Sequence, residues 1–412
     1  MSCRVDWIPL GDLVHFESGG TPSKKSQTYW NGNIPWISAK TLIGDSVATS
    51  NLYITSEGLK AGSRLAREGS LLLLTRGSGL FKRIPLAMTA KDVAYNQDIK
   101  CLTSKRANIS NRYIFFALRS LEPNIVAMLE TTGIGAGKLS TDRLKTLQVP
   151  VLDSESRLKV ERFFEAVFQK IALNTKLNGY LLEYLKTYAK TLYCEYENDK
   201  NAILPRNWRW AEIAEIAGMV CRGIAPKYSD VSDEVVLGQT CVRSNLILVE
   251  NGRTHAPRKK TEKWLKKYDL LINSTGVGSL GRTAQVWFEP KKLVADSHIT
   301  IVRTADPRYA LYLGFWAFKH EKHIESLHTG STGQTELPRD YVKTMRLVLP
   351  DDKTLNRFNK IAVPMVELIV ANQRENKRLE EIRDRLLPKL MSGEIDVSKI
   401  DLMQLNSHLA EY

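Results

Sequence analysis

Apolar residues recur along two long stretches of the chain in alternating steps of four and three residues. The two seams consist of Val160, Phe164, Val167, Ile171, Asn174, Asn178, Leu181, Leu185, Tyr188 and Leu192, and, 198 positions later, of Phe358, Ala362, Met365, Ile369, Asn372, Asn376, Leu379, Arg383, Leu386 and Leu390. This rhythm is the heptad repeat of coiled-coil helices. It predicts one helix from about Ser154 to Tyr196 and another from about Asp352 to Ser392. Pro364 predicts a kink or a break in the second helix near Val363.

Two asparagines interrupt each seam at matching places. If the helices pair antiparallel about a local two-fold axis, Asn174 lies near Asn376, and Asn178 lies near Asn372. A buried asparagine costs stability unless its amide is paired, so such pairs fix the register of the helices. The alternative is two unrelated amphipathic helices, each packed on its own domain, but the matching polar positions favour the pair. The seam is about 32 residues, or roughly 48 Å, long and would act as a rigid spacer.

The repeat extends beyond the helices. Ser70-Leu-Leu-Leu-Leu-Thr-Arg-Gly parallels Asp269-Leu-Leu-Ile-Asn-Ser-Thr-Gly, and Leu144-Lys-Thr-Leu-Gln-Val parallels Val342-Lys-Thr-Met-Arg-Leu. Offsets close to 200 residues indicate a tandem duplication. Each globular part has short apolar runs separated by Gly, Pro, Asn and Ser clusters, which are typical of strands and loops. One helix is predicted in each, at Arg112–Ser120 and Pro307–His320.

These patterns predict an α+β fold in which a mostly-β domain followed by a long helix occurs twice, with the helices paired as an antiparallel coiled coil. The predicted segments are a first globular domain (1–152), a first spacer helix (153–198), a second globular domain (199–350), a second spacer helix (351–393) and a C-terminal tail (394–412).

The charge of the chain is the unusual part of its composition. The 412 residues carry a formal net charge of +14, with a pI near 9.4. A basic protein of this size is typically a partner of nucleic acid or another polyanion. Five scattered cysteines without a C-x-x-C pair favour a reducing compartment and argue against structural zinc. There is no signal peptide and no apolar run near 18 residues, so we expect a cytoplasmic protein without a membrane partner.

The motifs that resemble catalytic or nucleotide-binding signatures do not fit their required contexts. Gly276-Val-Gly-Ser-Leu-Gly281 matches G-x-G-x-x-G, but a strand pattern follows it where a dinucleotide site needs a helix. Gly133-Ile-Gly-Ala-Gly-Lys-Leu-Ser140 lacks the glycine spacing and the Ser/Thr of a P-loop. The Asn/Asp-Pro-Pro-aromatic signature of amino-methyltransferases is missing from the sequence. We therefore predict no catalytic and no cofactor-binding residues.

Two further motifs have structural interpretations. Pro350-Asp-Asp-Lys resembles part of a nuclease site, but Asp351 or Asp352 is better placed to cap the following helix. His320, His323 and His328 have no acidic or cysteine partner at metal-ligand spacing, so we interpret them as solvated histidines and predict no metal site.

What remains is a set of basic and polar loop residues. Arg and Lys bind phosphates or guanine edges, and Asn and Gln pair with adenine. For any single residue the alternative is a solvated surface charge. The candidate DNA-binding residues are Thr21, Ser23, Lys24, Lys25, Arg76, Ser78, Lys82, Arg83, Asn96 and Lys138 in the first domain, and Arg222, Lys227, Tyr228, Arg243, Arg258, Lys259, Lys260, Lys263, Arg282, Ser331 and Gln334 in the second.

Three segments carry a family resemblance. Gly19-Gly-Thr-Pro-Ser with Gly32-Asn-Ile-Pro-Trp-Ile, and Val236-Leu-Gly-Gln-Thr-Cys-Val in the second half, resemble target recognition domains of type I restriction-modification specificity subunits. The ending Arg383-Asp-Arg-Leu-Leu-Pro-Lys-Leu-Met-Ser-Gly-Glu-Ile resembles the end of the second conserved helix of that family. The first helix departs from the pattern, because it reads Tyr188-Ala-Lys-Thr-Leu-Tyr at the equivalent place.

The resemblance implies a non-catalytic subunit that binds a DNA sequence in two halves, one per recognition domain, with the helix pair setting the gap. It also implies two modification (methyltransferase) subunits, which would bring S-adenosylmethionine, and restriction subunits that translocate and cut DNA. No cofactor is expected on this chain itself. Two alternatives stay open on the residues alone, a stand-alone two-domain DNA-binding regulator and an enzyme of unrecognised type.

Overall fold

The computed structural model describes residues 4–81, 83–131, 136–199, 202–256, 263–330 and 335–397. It forms two compact units, of which unit 1 comprises Met1–Ile171 with Lys377–Tyr412, and unit 2 comprises Ala172–Asn376. Each unit therefore contains one globular part and half of each long helix. The boundaries between the two units fall inside the long helices. The sequence instead predicts five segments in which each long helix is separate, and that division stays a prediction.

The strands and helices follow the order expected of a duplication. The strands are β1 Val5–Pro9, β2 Val14–Ser18, β3 Trp30–Ile37, β4 Ser46–Val47, β5 Tyr53–Ile54, β6 Arg64–Ala66, β7 Leu71–Leu74, β8 Arg76–Gly77, β9 Leu86–Thr89, β10 Val93–Tyr95, β11 Ile99–Ser104, β12 Glu130–Thr131, β13 Gly137–Lys138, β14 Gln148–Leu152, β15 Arg209–Glu212, β16 Ala217–Arg222, β17 Glu234–Leu237, β18 Val242–Arg243, β19 Leu246–Ile247, β20 Arg253–His255, β21 Leu270–Asn273, β22 Thr283–Gln285, β23 Leu293–Ala295, β24 Ile299–Thr304 and β25 Arg346–Leu349. The α-helices are α1 Leu10–Leu13, α2 Ser56–Gly62, α3 Asn111–Ser120, α4 Glu122–Val126, α5 Thr141–Thr146, α6 Ser154–Thr191, α7 Cys194–Asn198, α8 Ile213–Ile216, α9 Ala310–Lys319, α10 Glu321–Ser326, α11 Arg339–Thr344 and α12 Asp352–Met391.

The sheets of each unit are small and largely antiparallel. In unit 1 the strand orders are β2-β11-β7-β9-β4, β5-β3-β10-β6, β1-β14 and β12-β13-β8. In unit 2 they are β16-β24-β21-β22, β20-β17-β23, β15-β25 and β18-β19. The fully apolar strand β7 is buried along its whole length, as is β21, because both run through the middle of their sheets. Together with the long helices, this confirms the predicted α+β fold of two similar units.

The same tyrosine contact occurs in both units and marks the duplication at atomic level. The Tyr113 hydroxyl on α3 donates to the Pro150 carbonyl, at 3.0 Å. The Tyr312 hydroxyl on α9 donates to the Val348 carbonyl, in the same place of unit 2. Both tyrosines are fully buried, so each hydroxyl needs such an acceptor. The two predicted globular-domain helices are thus confirmed, and each ties its unit to the strand that precedes a long helix.

Each long helix begins directly after a capping aspartate, and the one before the second helix, Asp351, is among the predicted candidates. The Asp153 carboxylate accepts the Ser156 N–H, at 3.0 Å, and the Asp351 carboxylate accepts the Thr354 N–H, at 2.8 Å. The pKa of Asp351 is lowered by hydrogen bonds from the Thr354 side chain and from the Thr354 backbone N–H. Both aspartates satisfy N–H groups that have no partner within the helix. The capping role predicted for the Pro350-Asp-Asp-Lys segment is confirmed.

The two helix ends differ. α12 ends at Met391, and Gly393 follows with a φ of +76°, the left-handed conformation in which glycine commonly ends a helix. α6 ends at Thr191, several residues before the predicted end, and the short helix α7 follows it. The buried Leu192 and Tyr193 lie in the turn between α6 and α7, so tertiary packing ends the first helix early.

The break predicted near Val363 is wrong, whereas the alternative, a kink at Pro364, stays a prediction. α12 is continuous from Asp352 to Met391. Pro364 is exposed, while Phe358, Ala362 and Val366 are buried in the core of unit 2. A proline in a helix removes one hydrogen bond, and this loss is offset where the opposite face is held by packing.

The four asparagines make the predicted contacts within unit 2. The Asn174 amide donates to the Asn376 side-chain oxygen at 2.9 Å, and the Asn372 amide donates to the Asn178 oxygen at 2.8 Å. Asn174 also donates to the Glu375 carboxylate, at 2.6 Å. Residue numbers that rise on α6 are paired with numbers that fall on α12, so the helices run antiparallel.

The one charged seam position, Arg383, is accommodated inside unit 1. Its guanidinium lies 5.6 Å from the centre of the Phe168 ring and donates to Asp384 at 2.6 Å. It also lies 3.8 Å from the Asp45 carboxylate. The aliphatic part of the Arg383 side chain packs in the seam, and its guanidinium lies next to carboxylates. Within the described ranges, no helix is long and apolar enough to span a bilayer.

We expect the Arg303–Asp269 pair to be essential for the stability of unit 2. The Asp269 carboxylate is fully buried and accepts two hydrogen bonds from Arg303, each at 2.7 Å. Arg303→Met leaves that carboxylate without its cation and should lower the free energy of unfolding by about 3–5 kcal/mol. Arg308→Met, which removes an exposed arginine of the same unit, should change it little. Equal effects of the two substitutions in urea unfolding would contradict this prediction.

Candidate nucleic-acid interface

Unit 1 carries two cations side by side on its three-stranded sheet. The buried strand β7 ends at Leu74, and the chain continues into β8, where Arg76 lies directly opposite Lys138 of β13. Lys138 in turn lies opposite Glu130 of β12. We call Arg76, Lys138 and Glu130 the basic platform. The structure thus brings together two sequence candidates that are 62 positions apart (138 − 76).

The basic platform has more positive charge than its surroundings neutralise. Glu130 is engaged by Arg143, at 3.3 Å. Arg76 and Lys138 form no ion pair with any residue in the part of the chain that the structure describes. Like charges directly opposite each other across two strands are unfavourable, and a bound anion relieves that repulsion. Exposed Ser78 and Phe81 lie in the 3-10 turn that follows Arg76. This arrangement suits a phosphate beside a stacked or inserted ring.

The glycine-rich loop after β2 is shaped by close backbone contact. A Cβ on Gly19 would lie 2.3 Å from the carbonyl oxygens of Tyr95 and Asn96, and a Cβ on Gly223 would lie about as close to those of Ala295 and Asp296 in unit 2. Only glycine fits either place. Asn96 is itself buried, and its amide donates to Asp98 at 3.1 Å. The structure therefore places Asn96 under the loop, in a supporting turn.

The remaining candidates of unit 1 occupy different surroundings. Ser23, Lys24 and Lys25 are exposed beyond the glycine pair, whereas the Thr21 hydroxyl donates to the Gln97 side chain at 2.6 Å. Arg83 is paired with Asp45, at 2.8 Å, and this carboxylate also accepts from buried Arg119. Lys24 and Lys25 are thus available to an external anion, while the charge of Arg83 is matched inside unit 1.

The equivalent platform of unit 2 is acidic. Thr275 follows β21 as Arg76 follows β7, and isolated β-bridges pair Thr275 and Thr329 with Glu336. We call Thr275, Glu336 and Thr329 the acidic platform. Arg222, at the end of β16, donates to the Glu336 carboxylate and to the Leu337 carbonyl, both at 2.7 Å. Partial burial lowers the pKa of Arg222, although the nearby carboxylate opposes this effect. The one candidate cation at this platform is therefore already paired.

A polar cluster surrounds the acidic platform. The Gln239 amide donates to the Thr275 carbonyl at 2.7 Å and to its hydroxyl at 2.6 Å. The same hydroxyl lies 2.8 Å from Nδ1 of exposed His298. Gln239 and Thr275 are uncharged donors and acceptors, and with His298 they offer the chemistry that reads base edges rather than phosphates.

Other candidates of unit 2 lie elsewhere on its surface. Tyr228 is 49% exposed, and the Arg253 guanidinium stacks 3.5 Å from the centre of its ring. Lys227 is exposed, and its backbone N–H donates to buried His255 at 2.9 Å. Lys263 is partly buried and donates to the Gly223 carbonyl at 3.1 Å, next to the close contact described above. Arg243 is exposed on β18. Arg282, which directly precedes β22, is partly buried.

Several candidates cannot be placed. Lys82, Arg258, Lys259, Lys260, Ser331 and Gln334 lie outside the described residues. Phe81, Gln239, Arg253 and His298 lie beside the placed candidates but were not among them. Gln239 stands inside the family-like segment Val236-Leu-Gly-Gln-Thr-Cys-Val, but only the folded chain puts Gln239 and His298 against Thr275.

The motifs set aside earlier have structural roles. Gly276–Gly281 forms a turn that leads into strand β22, so the dinucleotide reading stays excluded by context. His320 is not simply solvated, which corrects our expectation. Its Nε2 lies 3.0 Å from the Glu197 carboxylate, and its ring stacks on Trp316 with centres 4.4 Å apart. Among the described residues, no three His, Cys, Asp or Glu side chains are grouped to hold a metal ion.

The family model and the related proteins that match this chain carry the same kind of description. Residues 5–182 match the family described as Type I restriction modification DNA specificity domain. The chain is 23% identical to the type I restriction enzyme MjaIX specificity subunit of Methanocaldococcus jannaschii, over 96% of this chain and 95% of that protein. It is 33% identical to the EcoR124I/EcoR124II specificity subunit of Escherichia coli, over 36% of this chain and 37% of that protein.

A solved structure shares the fold. The crystal structure of a type I restriction-modification system S subunit from M. genitalium aligns with a TM-score of 0.60 and 14% identity, over 94% of this chain and 96% of that one. The resemblance to type I specificity subunits, which the sequence motifs indicated, is confirmed by these matches.

We expect the basic platform to be destabilising when no anion is bound. Arg76→Thr installs the residue that unit 2 carries at the equivalent place, and should raise the stability of the free protein by about 0.2–1 kcal/mol at low salt. The gain should shrink near 1 M salt, because screening weakens the repulsion. Thermal unfolding at both salt concentrations measures it. Arg67→Thr, which removes a cation paired with Asp92 at 2.6 Å, should give no gain.

If Arg76→Thr lowers stability at low salt, the opposed cations are compensated by the protein itself. The repulsion between Arg76 and Lys138 would then no longer support the binding of an external anion at the basic platform.

Proposed function

We propose that this chain is the DNA-reading specificity subunit of a type I restriction-modification complex, and that each unit reads one half of a split target. The observation that carries the proposal is the basic platform, where Arg76 and Lys138 face each other across two strands without an ion-pair partner among the described residues. An anion with regularly spaced charges is the ligand that such a surface favours, and the net charge of +14 supports a polyanion.

The two platforms suit different parts of the duplex. Arg76 and Lys138, which have no ion-pair partner among the described residues, favour phosphate contacts, which hold the protein in register without reading sequence. The side-chain groups of Gln239, Thr275 and His298 favour base-edge contacts, in which the Gln239 side-chain oxygen would accept because its amide N–H groups are held by Thr275. The two halves of the target should therefore differ in sequence, since the duplicated places carry different chemistry.

An exposed stripe on α6 supports a role in a larger complex. Leu173, Leu177, Tyr180 and Tyr184 are between 37% and 64% exposed. Each lies one position before a seam residue of the helix pair, so the stripe repeats the same four-three-four rhythm and forms a second seam. Leu368 of α12 is 42% exposed and, by heptad position, lies on the same side of the pair. We call these five residues the outer seam.

The outer seam is a surface for partner helices. A helix that presents two neighbouring heptad seams packs with more than one other helix. We assign it to a modification (methyltransferase) subunit, which would supply S-adenosylmethionine; restriction subunits would join the same complex. A stand-alone regulator would have no use for this exposed apolar surface, so the stripe argues against that alternative. In this proposal the chain itself performs no catalysis.

The DNA role predicts a change in salt dependence. Arg76→Gln combined with Lys138→Gln should weaken binding to duplex DNA broadly and lower the log–log salt slope by about one for each lost phosphate contact. Lys24→Gln with Lys25→Gln should act in the same direction. Arg67→Gln is the control, because its side chain is exposed but paired with Asp92. An unchanged slope would remove these cations from the interface.

The partner role predicts a loss of assembly without a loss of folding. Leu177→Ser combined with Tyr180→Ser should reduce copurification with the methyltransferase subunit at least about tenfold, since central anchors dominate interfaces. The control is Leu158→Ser, which changes another exposed leucine of α6, 55% accessible, away from the outer seam. Assembly that tolerates the double substitution would place the partner elsewhere.

A further inference from the structure

Unit 2 has a groove where the last part of α6 meets α9 and α10. Its volume is about 460 Å³. Most of the residues that line it are charged, and these are Glu183, Lys186, Lys190, Lys319, Glu321 and Lys322. We call this surface the lysine groove. It contains no residue of the acidic platform and none of the candidate DNA-binding residues.

The positive charge of the lysine groove exceeds what unit 2 neutralises. Lys186 is paired with Glu183, at 3.0 Å. The Glu321 carboxylate accepts the Thr283 backbone N–H at 2.7 Å and the Thr283 hydroxyl at 2.9 Å, so it is already engaged. The remaining lysines are exposed and form no ion pair with any residue that the structure describes, and they are Lys190, Lys319 and Lys322. We call these three the groove lysines.

Unit 1 has a groove at the matching place, with a volume of about 670 Å³, but its charges differ. α3 and α9 match at an offset of 199 residues, and the long helices match at an offset of 198. At these offsets each lysine of the lysine groove is replaced by a residue that also lines the groove of unit 1. The replacements are Ser120 for Lys319, Pro123 for Lys322, Asp384 for Lys186 and Pro388 for Lys190.

The cations that do line the groove of unit 1 are neutralised. Arg83 and Arg119 are both paired with Asp45, at 2.8 and 2.6 Å, and Arg383 is paired with Asp384 at 2.6 Å. The duplicated groove therefore carries cations without a carboxylate partner among the described residues in unit 2, whereas every arginine in its unit 1 copy has such a partner.

Helix stability explains the groove lysines only in part. Lys190 and Lys319 lie in the last turns of α6 and α9, where a cation stabilises the partial negative charge of the helix end. Lys322 lies in the first turn of α10, where the partial charge is positive and a cation is unfavourable. A cation that opposes its own helix end is better explained by an anion that comes from outside the chain.

The lysine groove continues the outer seam of α6. The outer-seam residues of α6 follow one another in steps of four, three and four, ending at Tyr184, and the next step of three reaches Thr187. Thr187 lines the lysine groove, and buried Phe318 contributes apolar surface to it. A helix that packs along the outer seam therefore has one end at the lysine groove.

We propose that the lysine groove binds an acidic segment, rich in aspartate or glutamate, of the protein chain that packs on the outer seam. This inference rests on the proposed function, which assigns the outer seam to the methyltransferase subunit. Continuity with the outer seam favours protein carboxylates over DNA phosphates as the anion. Apolar packing along the seam would hold the partner helix, and the charge of the groove would decide which of its ends lies there.

The role of the charge can be tested in the complex of the full chain with the methyltransferase subunit. Lys190→Gln combined with Lys319→Gln and Lys322→Gln should weaken assembly about tenfold at low salt, because complementary charges accelerate association. The difference from the unaltered chain should disappear near about 1 M salt, where the charges are screened. The matched control replaces three exposed lysines away from the groove with glutamine, namely Lys60, Lys91 and Lys291.

The outcomes separate this inference from the proposed function. Equal assembly of the groove variant and the control at low salt would overturn the inference. So would a groove variant that assembles normally but loses affinity for duplex DNA, since the anion would then be phosphate. Failure of the unaltered chain to assemble with any methyltransferase subunit would overturn the proposed function and this inference with it. If the triple variant unfolds, Lys322→Gln alone should still weaken assembly about twofold.

The chemical nature of the anion is tested by carbodiimide cross-linking of the assembled complex. The carbodiimide activates a carboxylate, and attack by a lysine amine forms an amide bond while the reagent leaves as a urea. Cross-links from the groove lysines should map by mass spectrometry to a cluster of Asp and Glu residues in the second polypeptide. Cross-links from these lysines only within the same chain, or none in the assembled complex, would overturn the proposal.

Discussion

The pairing of asparagine amides inside an apolar seam is the constraint on which the helix pair depends. Asn174 meets Asn376 and Asn178 meets Asn372 within hydrogen-bond distance, and the seam positions that flank them are isoleucines and leucines. Sliding one helix by a turn would bury these amides against apolar side chains, and an unpaired amide in such surroundings costs about 1–3 kcal/mol. The register is therefore specified by polar groups, while the apolar residues supply most of the packing energy.

The duplication supplies one scaffold and lets the two copies diverge in chemistry. Backbone constraints are kept, as shown by the close contacts that require glycine at Gly19 and Gly223 and by the paired hydroxyls of Tyr113 and Tyr312. Side chains on the platforms are not kept, since a pair of cations in one unit is replaced by a threonine and a glutamate in the other. A scaffold that fixes loop geometry leaves its exposed positions free to change, which is the property that the two-part DNA reading we propose requires.

The same divergence operates below the surface. In unit 2 Trp316 stacks on His320 with ring centres 4.4 Å apart, whereas Ala117 and Leu121 stand at the matching positions of unit 1. The two units therefore keep the same helix and pack its end with different side chains.

The sequence by itself determined the duplicated α+β architecture, the antiparallel helix pair and the contacts of its asparagines, because heptad spacing and repeat offsets are local properties that survive folding. It also indicated the family. Tertiary structure alone decided which of the described loop cations have ion-pair partners among the described residues. Arg83 and Arg222 look like Arg76 in the sequence, yet Asp45 and Glu336 approach them from distant segments. It likewise placed Asn96 under a loop, kept α12 continuous through Pro364 and ended α6 at Thr191. Each of these outcomes depends on neighbours that are far apart along the chain, so no local pattern could have specified them.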